Sequence, residues 1–593
     1  MNVIEYILFG VLVLANFCLG LYFSFKKRRQ PAGSSSAAME VFLGGRRLMM
    51  LPLAASTVAS VYTSTGLVGF PSHFYAYGWH LFWGCTMPLF IFPLATHVFV
   101  PVLYGLGITS IFEYIRRRFN SAISLTACAI YIFFTQSIGA ISIYAASLVL
   151  ETVFHLPLLW CNIVIGLSGT VYTALGGLRG VVWTDCVQFV IIICAPAAIV
   201  TKVIIDSTAP DSTVRPLRDL EIGDYIAKYR LDFTSEENMW SCFFGSAAPA
   251  MFRLCFDQVV TQRLLASRTQ RDAKRTVVTG SVLLVCVYTT MLSMGVALTT
   301  WFRGCDPLLS GAVDRVDQIL PHYINTRLVQ VPGFVGLYLA GVVCAATSTT
   351  SSTINSQAAI LYVDVITPCW KNATRHVLWI TRCTALALGV IMTVYSTLCV
   401  HMGSLTRVFV MVFSCLTSPY VGLCVLAILF PFVHSKGVGV ATVVTITFQL
   451  WHVANSIKNH TTPPRMPQSL DYCPVNTSFR VSVSDGVNHT SSFEAPRSEE
   501  SLYLFRISYL WISFFGIFIT IAIGVLVSAL TGEMWSKEEQ PELSSDLLVR
   551  IWRKRTHNRD ESQLQAMKTS KNDGHGGGTE DQDLLNLGAH SHV

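Results

Sequence analysis

Gly341-Val342-Val343-Cys344-Ala345-Ala346-Thr347-Ser348-Thr349-Thr350-Ser351-Ser352-Thr353-Ile354-Asn355 sets a run of hydroxyl residues, Thr347 to Thr353, inside an apolar segment reaching from about Phe334 to Ile366. A helix needs about 20 apolar residues to cross the hydrocarbon core, so this segment spans a bilayer with tilt. Within it Ala345, Ser348, Thr349 and Ser352 stand at i, i+3, i+4 and i+7 and share one face. Hydroxyls and a carbonyl on one buried face are hard oxygen ligands without full charge, a set that suits a dehydrating alkali cation. Small hydroxyl residues also serve close helix packing in membranes. The rest of the chain decides between the two.

Of 593 residues, 52% are hydrophobic and 13% charged. A soluble chain carries about a quarter charged residues, so an all-α polytopic membrane protein is expected. The net charge of +7 does not suggest nucleic acid, because most cations lie in short loops between apolar spans. The 17 cysteines fall mostly inside spans, where they act as small apolar residues. Cys305 and Cys473 fall in loops placed outside, and a bridge between them is chemically allowed. No segment outside the spans is large enough for a catalytic domain, which argues against an enzyme.

The chain reads as about thirteen transmembrane helices. The first, at 2–25, ends in Lys26-Lys27-Arg28-Arg29, which places the N-terminus outside. Arg116-Arg117-Arg118, Arg179, the cluster from Arg263 to Arg275, Lys371 with Arg375, and Lys436 all fall on the same, cytoplasmic side. The opposite side receives the loops 205–237, 303–333 and 458–504, the last with sequons at Asn459, Asn476 and Asn488. A further sequon at Asn372 falls on the cytoplasmic side and should be unused. The C-terminus lies inside, in a tail at 533–593 too polar to build a core. There Glu580 with Leu584-Leu585 resembles an acidic dileucine sorting signal. Ser591-His592-Val593 fits a peptide that adds as a strand to a PDZ domain.

Secondary transporters often repeat a helix interrupted near the bilayer midplane, which frees backbone groups for ion and substrate. Gly66, Gly69 and Pro71 weaken the second span, and Gly245-Ser246-Ala247-Ala248-Pro249 interrupts the span at 238–262, five spans later. A proline kink alone would be uninformative. Two at corresponding positions favour a substrate site between the breaks. Charges at membrane depth point to function. Asp185 lies just inside its span, in Tyr172–Gln188. Arg253 and Asp257, one helical turn apart, either form a mutual ion pair or leave Arg253 to meet an anion.

Together with Asp257-Gln258-Val259-Val260-Thr261-Gln262-Arg263 and Cys305-Asp306-Pro307-Leu308-Leu309, these stretches resemble the sodium/solute symporter family from residue 1 to about 535. Gly69-Phe70-Pro71-Ser72, the Cys-Asp-Pro-Leu-Leu loop and Ser352-Thr353-Ile354-Asn355 look most like the branch of monocarboxylate, multivitamin and iodide symporters. The resemblance implies an inverted five-plus-five helix repeat, a LeuT-like core. Its halves would be 50–204 and 238–433, after an extra helix and basic loop at 1–49 and before two further helices at 434–532. It also implies one Na⁺ held by the carbonyls of Ala59, Tyr62 and Ala345 and the hydroxyls of Ser348 and Thr349. Asp185, Ser351 and Ser352 match positions linked to a second ion or to coupling; Asp185 would otherwise be a structural acceptor.

The resemblance places Thr63, Thr65, Gly66, Arg253 and Asp257 at the substrate site. The His, the Asn and the aromatic pair of the sugar branch are absent at Gly66, Val61 and Arg253-Leu254, and the Gln of the iodide branch is absent at Gly66. Gly66 leaves room, and Arg253 favours an organic anion by charge complementarity. The expected protein is a multi-pass plasma-membrane symporter coupling Na⁺ to import of a small organic anion, a monocarboxylate or a carboxylate vitamin, with no cofactor beyond the transported ion. A non-transporting sodium-dependent sensor, or a symporter for iodide or a neutral solute, is the competing expectation.

Overall fold

A computed structural model describes residues 3–25, 40–209, 214–215, 217–370, 372–402, 405–458, 463–473, 503–531 and 543. The basic run after the first span, the three expected sequons and the sorting and PDZ motifs of the tail lie outside these residues.

Nine of the described helices are long and apolar enough to cross a membrane, ten if one bent pair counts as a span. That pair is α2 (Met50–Val61) and α3 (Ser64–Tyr77), which follow the first helix α1 (Val3–Phe25) and meet at 59°. The bend falls at Tyr62 (ψ 108°) and Thr63 (ψ 163°), both extended. It lies before Gly66, Gly69 and Pro71, the residues whose propensity predicts a break; all three sit inside α3. The reason is local. Thr63 caps α3, its side-chain oxygen accepting from the Gly66 N–H at 3.3 Å, so the helix restarts there despite its glycines.

The apolar run Leu81–Gly105 (α4) is followed by α5 (Ser121–Phe154) and α6 (Leu158–Ser207). At 50 residues α6 is long enough for two spans, and its halves are separated at Gly177, whose φ of 62° and ψ of −173° suit only a residue without Cβ. The span expected at 238–262 is in pieces: α7 (Met239–Gly245), α8 (Ala247–Met251), a widened turn over Phe252–Phe256, and α9 (Gln258–Leu265). Its backbone becomes extended at Asp257 (ψ 122°), beyond the Gly245–Pro249 stretch, where Asp257 is the N-cap of α9 and accepts from the Val259 N–H at 2.9 Å.

The remaining spans are α10 (Gln270–Phe302), α11 (Phe334–Ile360), α12 (Val377–Leu398), α13 (Leu405–Leu429), α14 (Ser435–Lys458) and α15 (Tyr509–Leu530). The hydroxyl helix α11 is at the centre, buried from Val335 to Ile360 except for Leu337 near its start, and it packs along α6. Small residues bring the two backbones together: a Cβ on Gly341 would come within 2.9 Å of Ala195, and one on Gly169 within 3.3 Å of Thr350. Thr350 thus serves close packing, one of the two roles the hydroxyl run offered. Helix α1 lies against α6 and α11, and its buried Glu5 caps α11: Oε1 accepts from the Gly333 N–H at 2.7 Å and Oε2 from the Gly336 N–H at 2.6 Å. Cys305 and Cys473 form a disulfide, and beside it Asp306 accepts from Tyr75 at 2.8 Å.

Candidate sodium and substrate site

Interrupting a helix leaves the carbonyls of its last turn without their usual N–H partners. The break after Val61 does this to Ala59 and Tyr62, and α11 passes beside it. Thr349 Oγ1 lies 3.5 Å from the Ser60 carbonyl, and Ser352 Oγ is 2.7 Å from Ser60 Oγ. Ala59, Tyr62, Ala345, Ser348 and Thr349 are all buried at this crossing. Of the face predicted for Ala345, Ser348, Thr349 and Ser352, Thr349 and Ser352 meet Ser60 at the break, and Ser348 meets Asp185 of α6. Ser348 donates its proton to Asp185 Oδ1 at 2.7 Å, which leaves its oxygen lone pairs for a cation.

Asp185 is a hub. Its Oδ2 accepts from Ser56 at 2.7 Å and from the Arg263 guanidinium at 2.9 Å, with Ser60 Oγ at 3.0 Å. Arg263, at the end of α9, is 1% exposed and has every nitrogen engaged. Nε donates to Ser56 (2.8 Å), Nη1 to the Val259 carbonyl (2.7 Å), and Nη2 reaches Ser60 (2.6 Å) and Ser352 (2.7 Å) besides Asp185. The acidic and hydroxyl groups expected to serve a second ion thus meet a guanidinium here, while Ser351 donates to the Ser348 carbonyl at 3.0 Å. One arginine ties α2, α6, α9 and α11 together. Its motif is legible in the sequence, but its partner is not: Asp185 lies 78 residues away, and no periodicity connects them.

On the other side of the break is a cavity of about 120 Å³ lined by Tyr62, Thr63, Gly66, Arg253, Tyr288 and Phe413 among others. Thr65 and Asp257 are buried outside its lining. The room at Gly66 is already used: a Cβ there would sit 3.0 Å from the Tyr62 ring. Arg253 combines both sequence readings. Nη1 pairs with Asp257 Oδ2 at 2.7 Å, and the guanidinium also borders the cavity with its carbon 5.1 Å from the Phe413 ring centre. Asp257 is otherwise satisfied, since Oδ1 accepts from Tyr131 at 2.7 Å and from the Val259 N–H. The buried Tyr62 and Ser414 hydroxyls on the lining have no hydrogen-bond partner.

The model of the sodium:solute symporter family matches residues 41–444. The chain belongs to that family. The symporter is 28% identical to sodium-coupled monocarboxylate transporter 1 of Homo sapiens, over 89% of this chain and 87% of the relative. It is 26% identical to sodium-coupled monocarboxylate transporter 2 of Mus musculus, over 91% and 86%. It is 27% identical to the sodium/iodide cotransporter of Homo sapiens, over 89% and 83%. Among solved structures, a Na⁺-coupled sialic acid symporter shares the fold, with a TM-score of 0.71 at 20% identity over 89% of this chain and 98% of that one. The protein is therefore a multi-pass membrane transporter and not an enzyme, and transport in its family is coupled to sodium.

In the symporter the elements that sequence reasoning paired do converge: the first break, the second broken span and the hydroxyl helix. Phe413, Tyr288 and Ser414 on the cavity were not foreseen, because aromatic and hydroxyl residues in apolar spans carry no signature that separates a lining position from ordinary packing.

Proposed function

We propose that this symporter carries a small monocarboxylate inward with sodium across the plasma membrane. The observation that carries this reading is Arg253, a guanidinium bordering a mostly apolar cavity beside the broken helix, whose Ser60 carbonyl meets Thr349 of α11. The cavity wall is mostly apolar, with Phe70, Leu81, Leu254 and Tyr288 around the single guanidinium, a lining that suits a short aliphatic acid. The carboxylate would accept from the guanidinium nitrogens not committed to Asp257 and from the Tyr62 and Ser414 hydroxyls, with the aliphatic end against Phe70 and Tyr288.

Sodium at Ala59, Tyr62, Ala345, Ser348 and Thr349 would bridge α2 and α11 and hold the break in the shape that builds the cavity. Substrate then completes the site and permits closure. Each net charge moved through 100 mV adds about 2.3 kcal/mol of drive. The ion pair of Arg253 with Asp257 supports a second reading, a neutral solute, since the pair leaves the cavity without net charge.

Our reading of the topology has about thirteen spans with the N-terminus outside and the C-terminus inside. Beyond the nine long apolar helices, that number takes the bent pair, the second half of α6 after Gly177, the α7–α9 pieces and α13 each as a span. The sequons at Asn459, Asn476 and Asn488 would then be glycosylated, and Val593 would be free to dock a PDZ domain.

The test is uptake of radiolabelled lactate, butyrate, nicotinate, biotin, pantothenate, iodide and glucose into oocytes, in Na⁺ and with choline in its place. Na⁺-dependent uptake of a small monocarboxylate supports the proposal. Uptake of glucose but no acid favours the neutral-solute reading, and surface protein with no uptake favours a sensor.

A further inference from the structure

A second, larger cavity of about 450 Å³ lies away from the transport site, between α1 and the walls formed by α6 and α11. Phe9, Val13 and Asn16 line it from α1, Trp160 and Val164 from α6, and Val343 from α11. Its rim faces the surface that the bilayer would wet: Leu14 is 61% exposed, Trp160 63% and Val164 64%. An apolar opening of this kind fills with lipid rather than water, because a water in it would find too few partners.

One polar group distinguishes it from an ordinary gap between helices. Asn16 is 6% exposed, and its amide oxygen is buried with no hydrogen-bond donor. The nearby hydroxyls are committed: Tyr172 donates to the Thr347 carbonyl at 3.0 Å, Thr347 to the Val343 carbonyl at 2.9 Å, and Ser168 to the Ile165 carbonyl at 2.9 Å. Asn16 is about 20 Å along α1 from its first residue, at 1.5 Å per residue, well inside the apolar layer. A phospholipid acyl chain brings no donor to that depth, and its charged head group cannot follow it there. The occupant that answers both features is a rigid apolar body with a single hydroxyl.

We infer that the crevice between α1, α6 and α11 is a sterol site, with the sterol hydroxyl donating to the Asn16 amide oxygen and the rings lying against Phe9, Val13 and Trp160. The site is distinct from the substrate cavity and does not depend on which solute is carried.

The experiment uses the full chain purified into phosphatidylcholine nanodiscs containing a diazirine-bearing cholesterol analogue, with the labelled peptides mapped by mass spectrometry. Saturable labelling of α1 and α6 peptides is expected, displaced by excess cholesterol. Asn16→Leu should lower it at least about fivefold, in line with loss of one hydrogen bond to a buried acceptor. Gly10→Leu should abolish it by filling the cavity; a Cβ at Gly10 meets nothing within 4 Å, so this variant reads the site even if Asn16→Leu fails to elute as a monodisperse species. Labelling elsewhere, labelling unchanged in Gly10→Leu, or equal displacement by a long-chain aliphatic alcohol would overturn the sterol assignment.

Discussion

A serine has one proton to donate, and Ser348 gives it to Asp185, so the geometry of that bond determines where its lone pairs point. Ser348→Ala with Thr349→Ala removes two of the five proposed sodium ligands and is expected to raise the half-saturating Na⁺ concentration tenfold or more, about 1.4 kcal/mol, with surface expression intact. Unchanged Na⁺ dependence would refute the assignment. Arg263 obeys a different rule. A buried charge that loses its partner costs about 3–5 kcal/mol, while replacing both partners is often neutral. Arg263→Met alone should therefore reduce the yield of folded protein sharply, and Asp185→Asn with Arg263→Met should recover much of it. If the double variant is as unstable as the single one, the arginine has a role beyond neutralising Asp185. At the substrate cavity, Arg253→Ala should abolish acid uptake. If Asp257→Asn does the same with equal loss of folded protein, the pair is structural and the cavity takes its specificity from elsewhere.

Among the elements, what the sequence disclosed was the existence of the broken helices, and what it hid was their exact joint. Gly66 and Pro71 are poor helix formers, yet the chain opens at Tyr62-Thr63, because a threonine cap outweighs the propensity of the glycine that follows. Gly245 and Pro249 likewise point to the correct span, while the backbone becomes extended at the capping carboxylate Asp257. The hydroxyl face of α11 was legible because helical spacing is a property of the chain alone. The contact of α1 with α11 was not, since a lone glutamate near a terminus has no pattern. Glu5→Ala is expected to destabilise the protein by about 0.5–2 kcal/mol, the usual range for a lost cap, seen as a lower melting temperature; no change would mean the cap is idle.

For the whole molecule, loop charges and sequons indicated an arrangement of sides, and the disulfide puts two of the loops read as external, those of Cys305 and Cys473, on one side of the bundle. Removing Asn459, Asn476 and Asn488 together should increase the gel mobility of the mature protein, and an unchanged band would contradict the proposed orientation. Acid should also be felt on that side. Burial lowers the basicity of His322, which packs near Phe302 outside the spans. A histidine held below its unfolded value, about 6.5, favours the folded state above that pH and withdraws its contribution as pH falls through the lowered value. The melting temperature should drop between pH 7 and 5, and His322→Gln should flatten part of that drop; an identical profile would exclude His322 as the cause.

The grip of Glu5 on α11 also has a history in time. Its Gly333 contact is made 328 residues later, which at about 5–20 residues per second is a delay of roughly 15–65 s during synthesis. Through that interval the first helix carries a carboxylate into the membrane with no native partner. The helix that enters the membrane early is therefore locked only when α11 arrives, with α12 to α15 still to follow.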